Sequence, residues 1–306
     1  MARAAELSDV MSVQALHDEA RAKVNLTLRV LGRRVDGYHE LESVVAFADC
    51  ADRLTLQAGS ELSLTATGPR VQECGDNADN LVIKAARLLG ERVADLRTGS
   101  FALDKQLPIA AGIGGGSADA AAALRLLARA NDLALDDPRL IDAARKTGAD
   151  VPVCLASKSC IMTGIGETLL PLALPRLPVV MVNPRVAVAT KDVFAALGLR
   201  SGQLRVGVTD VVTAPKWPDQ AAPLDAWIAV LAAGINDLEA PAKKLQPVIG
   251  EVLKLLGKAR GARLARMSGS GATCFAIFAD AAAAEAAAQS VSAAHPDWWV
   301  HAGTLG

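Results

Sequence analysis

An α+β fold in two domains is what this sequence predicts, on three observations. The first hundred residues are strand-rich and then give way to helices. A glycine-rich loop joins a short strand to an alanine–leucine helix. A proline-rich stretch at 171–178 is followed by a second mixture of strands and helices. At 306 residues the chain is long enough to bury a core in each half.

The elements follow in order. The first twenty residues mix acids with apolar residues and lack a continuous signal-peptide core, so they are expected to be a loosely held leader, with Met11 as an alternative start. Residues 21–30 alternate partly and carry β-branched side chains, which places Lys23 and Asn25 on one face of a strand. Asp36-Gly37 marks a turn immediately before Tyr38 and His39. Further strands are expected at 44–47, 52–57 and 61–66. Asp79 or Asn80 caps the helix LVIKAARLL, and Gly90 ends it. A strand at 101–106 feeds the glycine loop. Asp137-Pro138 opens another helix, which closes near Thr147-Gly148 just ahead of Asp150. We place the domain boundary in the prolines, giving an N-terminal domain over 21–174 and a C-terminal domain over 175–306. The second domain reads as a buried strand at 178–184, helices at 193–198, 222–234 and 243–257, a second glycine loop, a strand at 274–278 and a helix at 281–294.

Composition removes several classes of function. With 32 basic and 33 acidic residues there is no overall surplus of positive charge for nucleic acid. No apolar run reaches the eighteen or so residues that a membrane span needs. Cys50, Cys74, Cys154, Cys160 and Cys274 form no CxxC pair and stand at no zinc-ligand spacing. They read as reduced thiols of a cytoplasmic protein, and no dedicated metal site is visible. Only 3% of residues are aromatic, so a stacking site must rest on individual rings.

Chemistry concentrates in the loop PIAAGIGGGSA, from Pro108 to Ala118. Gly112, Gly114, Gly115 and Gly116 leave its backbone open to close approach, and the following helix offers unpaired N–H groups from Ser117 onward. Such a site suits a phosphate. The spacing is neither the Rossmann G-x-G-x-x-G, since Ser117 stands where its third glycine belongs, nor a Walker G-K-[ST]. A tight glycine turn without a ligand is the alternative. On their own, Asp150 reads equally as a helix cap, Lys23 as a solvated edge residue, and Tyr38, His39 and Phe194 as structural rings. The segment Ser268-Gly269-Ser270-Gly271 reads as a tight turn before a strand.

Taken together, AKVNL, GRRVDGYHEL, NLVIKAARLL, PIAAGIGGGSADAA, TGADVPV, NDLE and RMSGSGATCFAIF occur in a fixed order that resembles the superfamily of galactokinase, homoserine kinase, mevalonate kinase and phosphomevalonate kinase. Within it, the DGYH, GADVPV and NDLE segments are most similar to the branch whose acceptor is a cytidine diphosphate-linked methylerythritol in the non-mevalonate isoprenoid route. The resemblance covers about residues 22–278. It implies an ATP-dependent small-molecule kinase with its active site in the cleft between the two domains, acting as a monomer or weak homodimer. The loop Pro108, Ile109, Ala110, Ala111, Gly112, Ile113, Gly114, Gly115, Gly116, Ser117 and Ala118 would wrap the ATP phosphates, with Asn80 near the adenine. Lys23 and Asp150 would flank the acceptor hydroxyl, Asp150 as base. Asn25, Tyr38, His39 and Phe194 would hold the cytidine end, the tyrosine and phenylalanine rings stacking about the base. Ser268, Gly269, Ser270 and Gly271 would close the far side. Magnesium would enter with ATP, held mainly through the phosphates. Homoserine and mevalonate kinases, which have no base to stack, are the alternative within the superfamily. A ligand sensor that has lost catalysis is the alternative outside it.

Overall fold

The structure, a computed structural model, describes residues 15–71, 80–205 and 216–306. Chain order runs β1 (Leu16–Asn25), β2 (Arg29–Arg33), β3 (His39–Gly59), β4 (Ser63–Thr67), α1 (Leu81–Gly90), β5 (Thr98–Asp104), α2 (Gly115–Ala130), α3 (Pro138–Thr147) and α4 (Val151–Ala156). Then come β6 (Cys160–Gly164), β7 (Thr168–Pro171), β8 (Leu177–Asn183), α5 (Thr190–Ala195), α6 (Leu224–Ala233), α7 (Glu239–Leu245) and α8 (Val248–Lys258). The order closes with β9 (Ala262–Met267), β10 (Cys274–Phe278), α9 (Ala281–Ala294) and β11 (Trp299–Leu305). Strands and helices are mixed in both halves, as an α+β fold requires.

The strands join in the order β4-β5-β3-β11-β8-β10-β9, with β1, β2 and β6 also pairing with β3. At 21 residues β3 is the spine of the sheet. Its middle, with Asp49 and Asp52, breaks the apolar pattern and reads from sequence as a gap between two strands. The strand continues because both acids find partners. Asp49 accepts from the backbone N–H of Thr304 at 2.9 Å, and Asp52 accepts from the N–H groups of Gln106 and Leu107 at 2.6 and 2.8 Å.

Alternate side chains of a strand face opposite ways, and both faces of the central strands are covered. On β8, Val180 and Val182 pack with Ile249, Val252 and Val291, from α8 and α9. Leu177, Val179 and Met181 point to the other face, against Trp227, Phe275, Leu107 and Ile113. This explains the unbroken apolar run of β8. In the N-terminal half α2 is buried along most of its length, and its alanines 120–123 are fully buried, which lets β1 and α1 approach it closely.

Several expectations need correction. β1 begins at Leu16, so residues 16–20 of the expected leader are strand; Met11, Cys74 and Asp79 lie outside the described residues. The strand expected over 21–30 is two strands, parted at 26–28, where Leu28 bridges to Asn236. The helix expected over 243–257 is two helices. Pro247 lacks an N–H and pushes Gln246 out of the helical region, to φ −135° and ψ 89°. The helix expected at 193–198 lies at Thr190–Ala195. Leu28 and Val30 of the N-terminal half pack with the C-terminal helices.

Candidate active site

A cavity of about 770 Å³ is lined by residues from β1, β2, β3, the glycine loop, the turn just before α4, α5 and the second glycine loop. Lys23 enters it from β1. A register shift between Arg21 and Lys23, where β1 slips against β3, re-aims the strand there. The Lys23 N–H donates to Ile113 O at 2.9 Å, which ties β1 to the glycine loop. Lys23 is 4% exposed, not a solvated edge residue. Its Nζ donates to Asp150 Oδ2 at 2.9 Å across 127 residues of chain. Asp150 stands at the N-cap of α4, yet its side chain makes no capping hydrogen bond. Its carboxylate serves the lysine instead.

The loop between β5 and α2 faces this pair. Ala110, Gly112 and Gly114 all have positive φ, at 50°, 74° and 65°. Gly114 is the N-cap of α2 and brings no capping side chain. Alternating left-handed residues of this kind turn N–H groups into a common hollow, and the open helix end adds its own. Ala110, Ala111, Gly112, Gly114, Gly115, Gly116 and Ser117 line the cavity. Pro108, Ile109, Ile113 and Ala118 do not line it, and Ile113 is part of the core. Asn80 is likewise outside the lining: its carbonyl caps α1 by accepting from Val82 N–H at 2.9 Å, while its neighbour Leu81 reaches the cavity.

Tyr38, His39, Phe194 and Asn25 also line the cavity. The rings in contact are His39 and Phe194, with centroids 4.4 Å apart and planes at 28°, whereas Tyr38 is 55% exposed. Burial, reinforced by the Arg33 charge, lowers the His39 pKa, which favours the neutral ring. Asn25 donates from Nδ2 to Ser43 Oγ at 2.7 Å and keeps Oδ1 buried without a partner.

The two glycine loops are packed backbone to backbone. Ser268 Oγ donates to Gly112 O at 2.9 Å, and Thr273 N–H donates to Ala111 O at 3.0 Å. A Cβ on Gly112 would stand 2.5 Å from Ser268 O, so only glycine fits there. Gly269 and Ser270 reach the cavity, while Ser268 and Gly271 form the seam behind it.

Residues 80–158 match the GHMP kinases N terminal domain and residues 222–297 the GHMP kinases C terminal domain. A 4-diphosphocytidyl-2-C-methyl-D-erythritol kinase of Rhodopseudomonas palustris (strain BisA53) is 76% identical over 96% of this chain and 98% of its own length. The chain belongs to the 4-diphosphocytidyl-2-C-methyl-D-erythritol kinase family. A relative of the same name from Nitrobacter winogradskyi is 71% identical over 95% of this chain and 94% of its own. A crystal structure of 4-(cytidine 5'-diphospho)-2C-methyl-D-erythritol kinase superposes with a TM-score of 0.73 at 36% identity, covering 95% of this chain and 99% of that one. Homoserine kinase from Cytophaga hutchinsonii shares the GHMP kinase fold at 18% identity, with a TM-score of 0.67 over 99% of this chain and 98% of that one.

One arrangement in this GHMP kinase is not legible in its sequence. Lys105, just before the glycine loop, is 3% exposed and donates from Nζ to Asp52 and Asp119, each at 2.5 Å. Its Nζ lies 3.4 Å from where a Cβ on Gly115 would stand. Asp52 also holds the two backbone N–H groups that enter the loop, so the three side chains brace the loop from below. Burial pushes the Asp119 carboxyl up to about 7, the Asp52 carboxylate adding to this and Lys105 opposing it. The only signal in the sequence is three charged residues set next to apolar or alanine-rich segments. Asp52 and Asp119 lie 53 and 14 residues from Lys105, so nothing local joins them.

Proposed function

We infer that this chain transfers the γ-phosphate of ATP to the 2-hydroxyl of 4-diphosphocytidyl-2-C-methyl-D-erythritol, giving the 2-phosphate and ADP. One observation carries the chemistry: the Lys23–Asp150 pair, at 2.9 Å, shares a cavity with the open N-terminus of α2 and its glycine loop. Family membership supplies the acceptor. Phosphoryl transfer asks for positioning and charge stabilisation rather than covalent chemistry. Backbone N–H groups and the helix dipole provide these for the phosphates without a Walker lysine. Asp150 accepts the hydroxyl proton as the new P–O bond forms, and Lys23 polarises the same oxygen and stabilises charge on the transferring group. His39 and Phe194 present ring faces to the cytosine, with Tyr38 beside them and Asn25 Oδ1 as a free acceptor. Ser268–Gly271 holds the phosphate loop in place from the C-terminal side.

Residues 21–174 in this reading carry the nucleotide, and residues 175–306 complete the acceptor site. Among the described residues no group of three His, Cys, Asp or Glu could hold a metal ion. Magnesium enters with ATP in this reading and rests mainly on its phosphates, with Ser117 and Asp150 as the oxygens nearby. No helix among the described residues is long and apolar enough to cross a membrane, and Cys50, Cys154, Cys160 and Cys274 are free thiols; both suit a cytoplasmic enzyme. The test is ADP release with the diphosphocytidyl acceptor beside homoserine and mevalonate, with Asp150→Asn in parallel. Turnover of the cytidine acceptor alone, lost in the variant, supports the reading. Turnover of homoserine or mevalonate removes the acceptor assignment.

A further inference from the structure

Among the described residues Asp150 is the one acid lining the cavity, and Lys23 already pairs with it. Two further cations, Arg33 and Lys191, line the same space. Among the described residues no carboxylate pairs with either. The acids of the neighbouring turn, Asp36 and Glu40, are taken by Arg34 at 3.2 and 3.7 Å. The acceptor cavity thus carries two surplus positive charges.

Their placement is specific. Arg33 is the cross-strand partner of His39 between β2 and β3, and its charge is felt by that imidazole. Lys191 lies three residues before Phe194 on α5, on the same side of the helix. His39 and Phe194 are the two rings that stack. Each stacked ring therefore has a cation beside it, one from the N-terminal half of the chain and one from the C-terminal half. Arg33 is also incompletely satisfied. Its Nη1 donates to Leu199 O at 3.2 Å, while Nε is buried with no partner. A buried guanidinium N–H without an acceptor is costly unless a ligand supplies one.

We propose that Arg33 and Lys191 recognise the diphosphate of a nucleoside diphosphate-linked acceptor, and so set the preference for phosphorylated over neutral pyrimidine ligands. The proposal rests on the acceptor reading above. A guanidinium binds phosphate oxygens through its fork of N–H groups, and an ammonium acts as a point charge, so the pair suits two adjacent phosphates. Both side chains reach solvent in part, and added salt weakens their effect.

The test is calorimetric binding of CDP and of cytidine, with the ATP site filled by a non-hydrolysable ATP analogue. The proteins compared are wild type, Arg33→Gln and Lys191→Gln. The wild type is expected to bind CDP about 100-fold more tightly than cytidine, and each variant to lose about tenfold of that ratio while its cytidine affinity stays within about twofold. KM for ATP stays within about twofold, which a general loosening of the fold would not allow. Cytidine binding with an unchanged CDP preference in both variants overturns the proposal alone. Failure of wild type to bind either compound overturns it together with the acceptor reading. Lys191 is exposed on a short helix, so Lys191→Gln decides the matter even if Arg33→Gln folds poorly.

Discussion

Replacing Asp150 by asparagine separates the two roles proposed for the Lys23–Asp150 pair. The Lys23 side chain is 5% exposed and that of Asp150 37%, with 2.9 Å between Nζ and Oδ2. Asparagine keeps the shape but removes the anion, and leaves the buried ammonium without a counter-charge. Breaking a fully buried pair this way costs about 3–5 kcal/mol. Because the carboxylate side is more than a third exposed, solvent takes up part of that charge, and about 1–2 kcal/mol is the expected loss. Adding Lys23→Met removes the stranded charge and should return most of it. The rate behaves differently. Loss of the proton acceptor lowers the chemical step by about 10²–10⁴, and the second substitution cannot restore it. Urea denaturation gives the stabilities of the four proteins of this cycle, and single-turnover ADP formation gives their rates. An Asp150→Asn enzyme that keeps more than about a tenth of the wild-type rate refutes the base assignment. A double variant no more stable than Asp150→Asn refutes the account of the pair.

Four other outcomes are expected. Gly112→Ala must place a Cβ 2.5 Å from Ser268 O and 2.7 Å from Gly271 N at a φ of +74°, so it loses about 3 kcal/mol or more in urea titration; a loss under about 1 kcal/mol contradicts the backbone seam. Phe194→Ala removes the stack on His39 and raises KM for the acceptor about tenfold with KM for ATP unchanged; an equal rise in both places the ring elsewhere in the reaction. The raised Asp119 pKa means that the folded chain holds a proton which the unfolded chain releases near pH 4. Stability therefore falls as pH rises from about 4 to about 7; Asp119→Asn flattens that slope, and a slope that survives the substitution assigns it to another group. Burial pushes Cys154 up to about 12 and Cys160 to about 11, and raises Cys274 as well. Alkylation mapped by mass spectrometry at pH 8 should leave all three unmodified until the chain unfolds.

What a sequence reveals tracks how local each cause is. The glycine loop is legible because Gly112 and Gly114 sit at positive φ, which favours glycine, and a Cβ on Gly112 would also stand 2.5 Å from Ser268 O. The N-cap Asn80 and the Asp137-Pro138 helix start are decided within a turn, and the structure places both as the sequence predicts. Asp150 and Lys23 are ambiguous in isolation, since their meaning comes from a contact across 127 residues; only the ordered series of segments suggests it. β3 reads as two strands because Asp49 and Asp52 look like a break, and the partners that keep the strand whole, at Thr304 and at Lys105 to Leu107, are remote in sequence. β11 is absent from the sequence-based expectation. Its run Trp299-Val300 has strand character and Pro296-Asp297 marks a turn before it, but nothing local says which strand it joins; its partners, β8 and Ala48 of β3, are remote in sequence. The pairing of His39 with Phe194 is hidden for a related reason: a sequence names rings but not which ring meets which.

β3 also has a consequence for how the chain comes into being. Its edge at Ala48 pairs with Leu305 of β11, and the N–H and carbonyl of Phe47 bond reciprocally with Gly306. A ribosome working at about 5–20 residues per second needs roughly 12–50 s to pass from one partner to the other. Throughout that interval Phe47 and Ala48 lack their partners at the end of β11, although Val44 and Val45 beside them pair with Ile161 and Cys160 of β6 once those are made. The nascent chain thus keeps a short apolar stretch of its longest strand unpaired through most of its synthesis, and the yield of native protein at high expression should depend on cover for that edge as well as on the stability of the finished sheet.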